Sequence, residues 1–267
     1  QICSMKTILI TGAGSGIGAA TAEQLAKEKN TRLLLVGRNT TKLNNVLDKL
    51  DNKEAHLVAG VDISNVNELE SFLSSDEANL KEHPLVSVFA NAGIGGANVY
   101  HRSNKPQDRW NEIIDVNLSG TYYTCITSIP WLNKAKQKGY KTRHIIVTSS
   151  ILSRFGVPTQ PAYVASKTGL LGLVRSMAMQ YARDGILINA INPGWVNTEM
   201  ARNRIQEMAE EEGGTYESML EAQKQYVPTG KFSEPEEIAA LVQFLFSNAQ
   251  TSMTGQAIDI NGGAWMS

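Results

Sequence analysis

Short apolar runs alternate along this chain with longer stretches of helical pattern, and this alternation limits the folds open to it. Each run is bounded by Gly, Asn, Pro or polar residues, and the candidate strands are 7–11, 32–36, 55–61, 86–91, 144–149, 186–191 and 257–260. Runs that are apolar throughout are typical of strands buried on both faces. We therefore predict an α/β fold in one domain, 1–267, with a doubly wound, seven-stranded parallel sheet and helices on both faces.

Composition excludes several classes of protein. The 267 residues carry 25 basic and 26 acidic side chains, a net charge of −1 that argues against a nucleic-acid partner. The apolar runs are far shorter than the ~20 residues of a membrane-spanning helix, so no membrane partner is expected. Cys3 and Cys125 form no disulfide framework, and the chain opens without a signal-peptide pattern. A reducing, cytoplasmic location is therefore predicted.

The stretch 199–227 carries no strand signal. It is rich in Glu and Met, and Gly213-Gly214 divides it into two short helical pieces. It leaves the carboxyl end of a predicted strand, where ligands bind in folds of this kind. A mobile lid over the site is therefore favoured over a plain surface excursion with an acidic face.

A glycine-rich turn follows the first predicted strand and opens the first helix. Residues 11–18 read T-G-A-G-S-G-I-G. Glycines let the backbone approach a pyrophosphate, and the N-terminus of the helix offers free N–H groups and a partial positive charge. The turn predicts a dinucleotide site, with a plain strand-to-helix turn as the alternative. A P-loop nucleotidase is disfavoured because no Gly-Lys-Ser/Thr ending follows.

The end of the second strand bears on the choice of cofactor. An acidic residue there would bind the ribose 2′-hydroxyl of NAD, but this chain reads Val36-Gly37-Arg38. Arg38 is able to pair with a 2′-phosphate, or else is a solvated surface residue. NADP(H) is therefore favoured, with NAD(H) as the alternative. Asp62 follows the third strand, where it would meet the adenine amino group or cap the helix after Ser64.

Tyr163 and Lys167 are four residues apart and share one face of a predicted helix. A cation beside a phenol lowers its pKa, which is ~10 when unperturbed, and so favours proton exchange with a carbonyl or an alcohol. Ser150 ends a predicted strand, where its hydroxyl could hold the substrate oxygen. Asn117 lies in the helical stretch 110–136, and a water chain to Lys167 would supply the partners that a buried amide needs.

These motifs together resemble the short-chain dehydrogenase/reductase (SDR) family, and the match runs from residue 6 to residue 265. The Ser–Tyr–Lys set and Asn117 fit the catalytic residues of the family. The other family motifs follow in order: T-G-x-x-x-G-x-G at 11–18, N-A-G at 91–93, P-G-x-x-x-T at 193–198, and T-G-Q and D-I-N-G-G at 254–256 and 259–263. The resemblance implies a Rossmann-type fold.

The resemblance also implies hydride transfer between the nicotinamide C4 and a carbonyl carbon, with no metal. Tyr163 would donate the proton, Ser150 would polarise the carbonyl, and Asn117 would hold a relay water. Lys167 would lower the pKa of Tyr163 and bind the nicotinamide ribose. The cofactor contacts implied are Gly12, Ser15, Gly16, Ile17, Gly18, Arg38, Asp62, Asn91, Ala92, Gly93, Tyr163, Lys167, Pro193, Gly194, Val196 and Thr198.

The substrate is less sharply indicated. The segments 151–161 and 195–227 should form the pocket, and candidate apolar wall residues, with core packing as their alternative, are Leu152, Phe155, Val157, Trp195 and Met200. A basic run could receive an acidic acyl-carrier protein or the phosphates of coenzyme A, or could be a solvated helix end: Lys134, Lys136, Lys138, Lys141 and Arg143.

The leading hypothesis for the reaction is NADPH-dependent reduction of a 3-oxoacyl-type ketone. The alternatives are NAD-dependent oxidation of a secondary alcohol, such as a 3-hydroxy acid or a polyol, and a non-catalytic protein that senses a dinucleotide. The complete catalytic set argues against the sensor.

A homotetramer, or a dimer, is expected from the family resemblance. The contacts would be made by the helices 110–136 and 163–183. The second helix has more apolar side chains than one sheet face needs: Leu170, Leu171, Leu173, Val174, Met177 and Ala178.

Overall fold

A computed structural model describes residues 5–96, 98 and 108–266, so that Cys3 lies outside the described residues. Its strands are β1 (Lys6–Thr11), β2 (Thr31–Gly37), β3 (Leu57–Gly60), β4 (Leu85–Ala90), β5 (Arg143–Thr148), β6 (Ile186–Pro193) and β7 (Ala257–Ile260). They form one parallel sheet of order β3-β2-β1-β4-β5-β6-β7. This confirms the predicted seven-stranded, doubly wound fold, whose strand order reverses between β1 and β4.

The helices fill the predicted gaps between the strands. They are α1 (Gly16–Ala26), α2 (Thr40–Leu47), α3 (Val66–Ser74), α4 (Trp110–Ile114), α5 (Thr121–Gln137), α6 (Pro161–Tyr181), α7 (Glu199–Glu212), α8 (Tyr216–Gln225) and α9 (Pro235–Phe246). A π-helical turn, Asp115–Gly120, joins α4 to α5 and contains Asn117. None of the described helices has the length and apolar character that a membrane crossing requires.

Two apolar cores lie on opposite faces of the sheet. Because successive strand residues point to opposite faces, Leu9 packs in one core and its neighbours Ile8 and Ile10 pack in the other. The first core includes side chains of α3, α5 and α6. The second includes side chains of α1, α2 and α9.

The predicted surplus of apolar surface on α6 is wrong. Five of the six side chains named for it are buried within this chain, and Leu173 is half-buried against the same core. They pack in the core on one face of the sheet, where α6 lies against β6. Met179, which is 85% exposed, is the large apolar side chain that this helix presents to solvent.

The lid segment 199–227 forms two helices, α7 and α8, divided at Gly213-Gly214 as predicted. Thr198 begins α7 because its hydroxyl accepts a hydrogen bond from the Ala201 N–H at 3.3 Å. A small core of its own, which contains Ile205 and Met219, holds the two helices together.

Candidate active site

The glycine turn lies at the carboxyl end of β1, where the strand order reverses. Gly12 and Gly16 adopt positive φ angles of 65° and 52°. A Cβ on Gly18 would lie 2.2 Å from the Gly12 carbonyl oxygen, so only glycine fits there. Ser15 is exposed and its hydroxyl caps no N–H of α1, while Ile17 packs on the core beneath. The turn thus leads closely into the N-terminus of α1, an arrangement that suits a pyrophosphate.

The N-A-G segment holds this turn against the neighbouring strands. The backbone N–H groups of Asn91 and Ala92 both donate to the Thr11 hydroxyl at 3.1 Å. The Asn91 amide donates to the carbonyls of Thr11 and Gly12 at 3.3 and 3.4 Å, and accepts from the Thr148 hydroxyl at 3.0 Å. The ends of β1, β4 and β5 are therefore joined by one side chain.

The adenosine end of the predicted groove is exposed. Arg38 lies in solvent directly after β2. Lys42, whose Cβ lies beside Gly14, forms an ion pair of 2.7 Å with Glu199 at the start of α7. This pair joins α2 to α7 beside the glycine turn.

Asp62 does not cap the helix that follows it, so that alternative is wrong. Its carboxylate accepts hydrogen bonds from the N–H and the hydroxyl of Ser64, at 3.0 and 2.7 Å. The cap of α3 is Asn65, which accepts from the Asn67 N–H at 3.1 Å. A contact of Asp62 with adenine stays a prediction.

Ser150, Tyr163 and Lys167 come together at the carboxyl end of β5. The Ser150 hydroxyl lies near enough to the Tyr163 hydroxyl to act on its pKa. The Lys167 ammonium donates to the Thr148 carbonyl at 2.8 Å and lies 5.6 Å from the centroid of the Tyr163 ring. The hydroxyl groups of Ser150 and Tyr163 and the buried ammonium of Lys167 therefore lie close together.

Burial dominates the electrostatics of this group. It raises the pKa of Tyr163, and the nearby Ser150 hydroxyl opposes that rise only in part. Burial also lowers the pKa of Lys167 to about 8. The Lys167 ammonium is bonded to the Thr148 carbonyl, and its predicted lowering of the Tyr163 pKa stays a prediction.

Asn117 is fully buried in the π-helical turn. Its amide oxygen accepts from the Ile94 N–H at 2.8 Å, and its amide nitrogen donates to the Ile94 carbonyl at 2.9 Å and to Ser166 at 3.3 Å. Its partners here are protein groups, and the water chain to Lys167 stays a prediction. A Cβ on Gly93 would lie 3.2 Å from the Asn117 amide oxygen and 3.4 Å from the Lys167 nitrogen, so the two side chains flank Gly93.

The P-G-x-x-x-T segment follows β6 and lies beside the glycine turn. Pro193 ends the strand, and the Gly194 N–H donates to the Ile260 carbonyl at 3.0 Å. Val196 is buried, and a Cβ on Gly16 would lie 3.0 Å from the Thr198 methyl group. The residues predicted to hold the pyrophosphate and those predicted to hold the nicotinamide therefore adjoin.

Two aromatic stacks border the predicted substrate side. Phe155 stacks on Trp265 with 5.6 Å between the ring centroids, and Trp195 stacks on Phe232 with 5.2 Å between the ring centroids. Trp195 packs against the core of the lid segment, as its core-packing alternative predicts. Leu152 and Val157 are half-buried, and the 48% exposed Met200 lies next to Gly95. Sequence reasoning missed Trp265, which lies beyond every motif and is joined to Phe155 only by the fold.

The prediction that the basic run receives an acidic partner is wrong for one of its residues, Arg143. Arg143 is fully buried, and its guanidinium donates to backbone carbonyls, among them those of Leu132 and Asp184. It is therefore unable to meet an acidic partner. Lys134 lies 3.9 Å from the centroid of the Trp131 ring. Within the described part of the chain, no group of three or more His, Cys, Asp or Glu side chains is placed to hold a metal ion.

The sheet, its glycine turn and the group at its carboxyl edge define a Rossmann-type oxidoreductase. The family model described as short chain dehydrogenase matches residues 6–209. The chain belongs to this family of oxidoreductases, as its motifs indicated.

Named relatives agree over nearly the whole chain. The 3-oxoacyl-(acyl-carrier-protein) reductase of Rickettsia prowazekii is 34% identical over 261 residues, which are 98% of this chain and 97% of the relative. A variant of actinorhodin polyketide ketoreductase with NADPH superimposes with a TM-score of 0.87 at 26% identity, covering 97% of both chains. The 3-ketoacyl-(acyl-carrier-protein) reductase from Brucella melitensis complexed with NADH superimposes with a TM-score of 0.81 at 25% identity, covering 98% of both chains. A nicotinamide cofactor is therefore supported, in either phosphorylation state.

Proposed function

We propose that this protein reduces a ketone of the 3-oxoacyl type, with NADPH as the hydride donor. The observation that carries the proposal is the grouping of Ser150, Tyr163 and the buried cation of Lys167 at the carboxyl end of β5. The names of the relatives support a 3-oxoacyl thioester as the substrate, carried by an acyl-carrier protein or by coenzyme A.

The roles of the side chains follow from their positions. The bound cofactor supplies the hydride that the carbonyl carbon accepts. Ser150 holds the carbonyl oxygen, and the Tyr163 hydroxyl gives that oxygen its proton, which yields the secondary alcohol and leaves a phenolate. Lys167 stabilises the phenolate by its charge until a proton from solvent restores the phenol. Asn117 fixes the Ile94 backbone beside Lys167 and so shapes the route of that proton.

The direction of reaction in the proposal is supported by the names of the relatives, which are reductases of 3-oxoacyl groups.

The cofactor preference in the proposal is NADP(H). It is supported by the exposed guanidinium of Arg38 directly after β2 and by the absence of a carboxylate at Gly37. We also propose a homotetramer, from the family resemblance, and a cytoplasmic location, from the cysteine usage.

The test is consumption of NADPH and of NADH over a panel of free ketones, 3-oxoacyl thioesters and keto sugars. We expect turnover of the thioesters with NADPH. Tyr163→Phe should abolish turnover and leave the affinity for NADPH nearly unchanged, because the ring is kept and only the proton donor is lost. Equal loss of both would make Tyr163 a structural residue.

Arg38→Asp is the second variant in this experiment. It should shift the preference from NADPH towards NADH, because a carboxylate repels the 2′-phosphate and accepts from a ribose hydroxyl. An unchanged preference would remove Arg38 from the site. Activity with NAD in the oxidative direction alone would favour the secondary-alcohol dehydrogenase, and cofactor binding without any turnover would favour the sensor.

A further inference from the structure

Asp259 of β7 binds two segments of the candidate site at once. Its carboxylate accepts a two-pronged ion pair from Arg154, with the guanidinium Nε and Nη2 at 3.2 and 3.0 Å. It also accepts from the side-chain amide of Asn192 at 3.0 Å. The two charged side chains are only 25% and 21% exposed, so water screens this pair less than a pair on the surface.

The Arg154 end of this contact fixes the position of Ser150. A single helical turn, Ile151–Ser153, separates the two residues. The Leu152 N–H donates to the Ser150 hydroxyl at 3.1 Å, and the Arg154 N–H donates to the Ile151 carbonyl at 2.9 Å. The turn that begins at Ser150 is therefore joined to β5 at one end and to β7 at the other.

The Asn192 end fixes the segment predicted to hold the nicotinamide. Asn192 is fully buried and directly precedes Pro193-Gly194. The Gly194 N–H donates to the Ile260 carbonyl at 3.0 Å, and a Cβ on Gly194 would lie 2.9 Å from the Asn261 Cα. The segment therefore packs tightly on the strand that carries Asp259.

We propose that Asp259 is a positioning residue, which sets the Ser150 hydroxyl in register with the nicotinamide-binding segment through Arg154 and Asn192. Hydride transfer requires the carbonyl held by Ser150 to face the nicotinamide at a fixed distance and angle. A misplacement of about 1 Å is enough to cost ~100-fold in rate. Asp259 acts through these neighbours, and this inference rests on the proposed function.

The test compares Asp259→Asn and Arg154→Lys with wild type. Asp259→Asn keeps the size of the side chain and removes its charge, whereas Arg154→Lys keeps the charge and removes the two-pronged geometry. For both we expect kcat to fall about tenfold to 100-fold, with little change in KM for NADPH. The primary isotope effect on kcat with 4-deuterated NADPH should rise, because hydride transfer becomes rate-limiting. Partial unfolding would lower kcat and leave the isotope effect unchanged.

Glu28→Gln is the matched control. Glu28 pairs with Lys6 at 2.7 Å, and these side chains are 28% and 32% exposed, but the pair lies at the amino end of β1. We expect this variant to lose a similar amount of thermal stability and to keep the kcat and the isotope effect of wild type.

Amide hydrogen exchange gives a readout that needs no turnover. Exchange at 150–154 and at 194–196 should quicken in Asp259→Asn and in Arg154→Lys, and not in Glu28→Gln. Wild-type kinetics and unchanged exchange in either well-folded variant would overturn the positioning role alone. A wild-type chain that reduces no carbonyl would instead overturn the proposed function, and the exchange data would still decide whether Asp259 orders the two segments.

Discussion

At the scale of the residue, Lys167 carries a cost that only function explains. The side chain is 4% exposed, and burial lowers its pKa from 10.5 to about 8. The free energy tied to that change is about 3 kcal/mol. One hydrogen bond to the Thr148 carbonyl, worth about 1 kcal/mol, offsets part of it. The fold would therefore be more stable with an apolar side chain at this position.

We predict that Lys167→Met raises the free energy of unfolding by about 1–2 kcal/mol at pH 7 and abolishes turnover. The unfolded chain holds the Lys167 proton more tightly than the folded chain, so wild-type stability rises between pH 8 and pH 10.5 and the difference between the proteins shrinks there. Urea unfolding at several pH values measures this. Lys49→Met, at an exposed lysine, is the control. A variant less stable than wild type at pH 7 would contradict the argument.

His144 predicts an acid sensitivity that lies outside the site. Neither of its ring nitrogens has a hydrogen-bond partner among the described residues. Burial, with the nearby charges of Arg143 and Lys6, lowers the pKa of His144 to about 4. The unfolded chain, with a histidine pKa of 6.5, therefore takes up this proton first as the pH falls. The folded state loses stability across that range, by about 2 kcal/mol at pH 5.

His144→Leu should remove that loss, and it should also stabilise the protein at pH 7, since no unpaired ring nitrogen is then buried. Comparison of the free energy of unfolding at pH 7 and pH 5 measures both effects. Burial also lowers the pKa of His56 and of His83, so a smaller acid sensitivity should remain in the variant. An unchanged difference between pH 7 and pH 5 would show that His144 is not its source.

At the scale of the element, sequence patterns predict which helices and strands form, but not the residues at which they begin and end. The strand predicted at 55–61 begins only at Leu57, because Asn52 adopts a left-handed φ of 52° and a short turn, Lys53–Ala55, follows it. The helix predicted at 110–136 forms as α4 and α5, which the π-helical turn joins. That turn depends on the bonds from Asn117 to Ile94, which are tertiary contacts and leave no local signal.

The same limit applies to the candidate site. Fixed spacings in the sequence named Ser150, Tyr163 and Lys167. The fold brings them together because Ser150 follows β5 and the other two lie on α6. The pair of Arg154 and Asp259 spans 105 residues. Asp259 opens the D-I-N-G-G motif, but that motif does not name Arg154 as its partner, so only the fold reveals the pair. The stack of Phe155 on Trp265 is hidden for the same reason.

At the scale of the whole molecule, the exposed aromatic and methionine side chains bear on assembly. On α4 and α5, Trp110 and Tyr122 are 43% and 41% exposed. On α9 and beyond β7, Phe244 is 47% exposed and Met266 is 76% exposed. A tetramer with two-fold axes needs two different self-complementary surfaces, whereas one surface gives only a dimer. Because α5 and α9 cover opposite faces of the sheet, we take Tyr122 to mark a first candidate surface and Phe244 to mark a second.

We predict a four-chain species for wild type in analytical ultracentrifugation. Each substitution places a carboxylate without a partner in an apolar contact and should break that contact. Tyr122→Glu should therefore leave a dimer held by the second surface, and Phe244→Glu should leave a dimer held by the first. The double variant should be a monomer. Met179→Glu, on the exposed side of α6, tests whether that helix contributes to the first surface. A wild-type chain that sediments as a stable monomer at micromolar concentration would contradict the tetramer, and a dimer lost in Tyr122→Glu alone would limit assembly to the first surface.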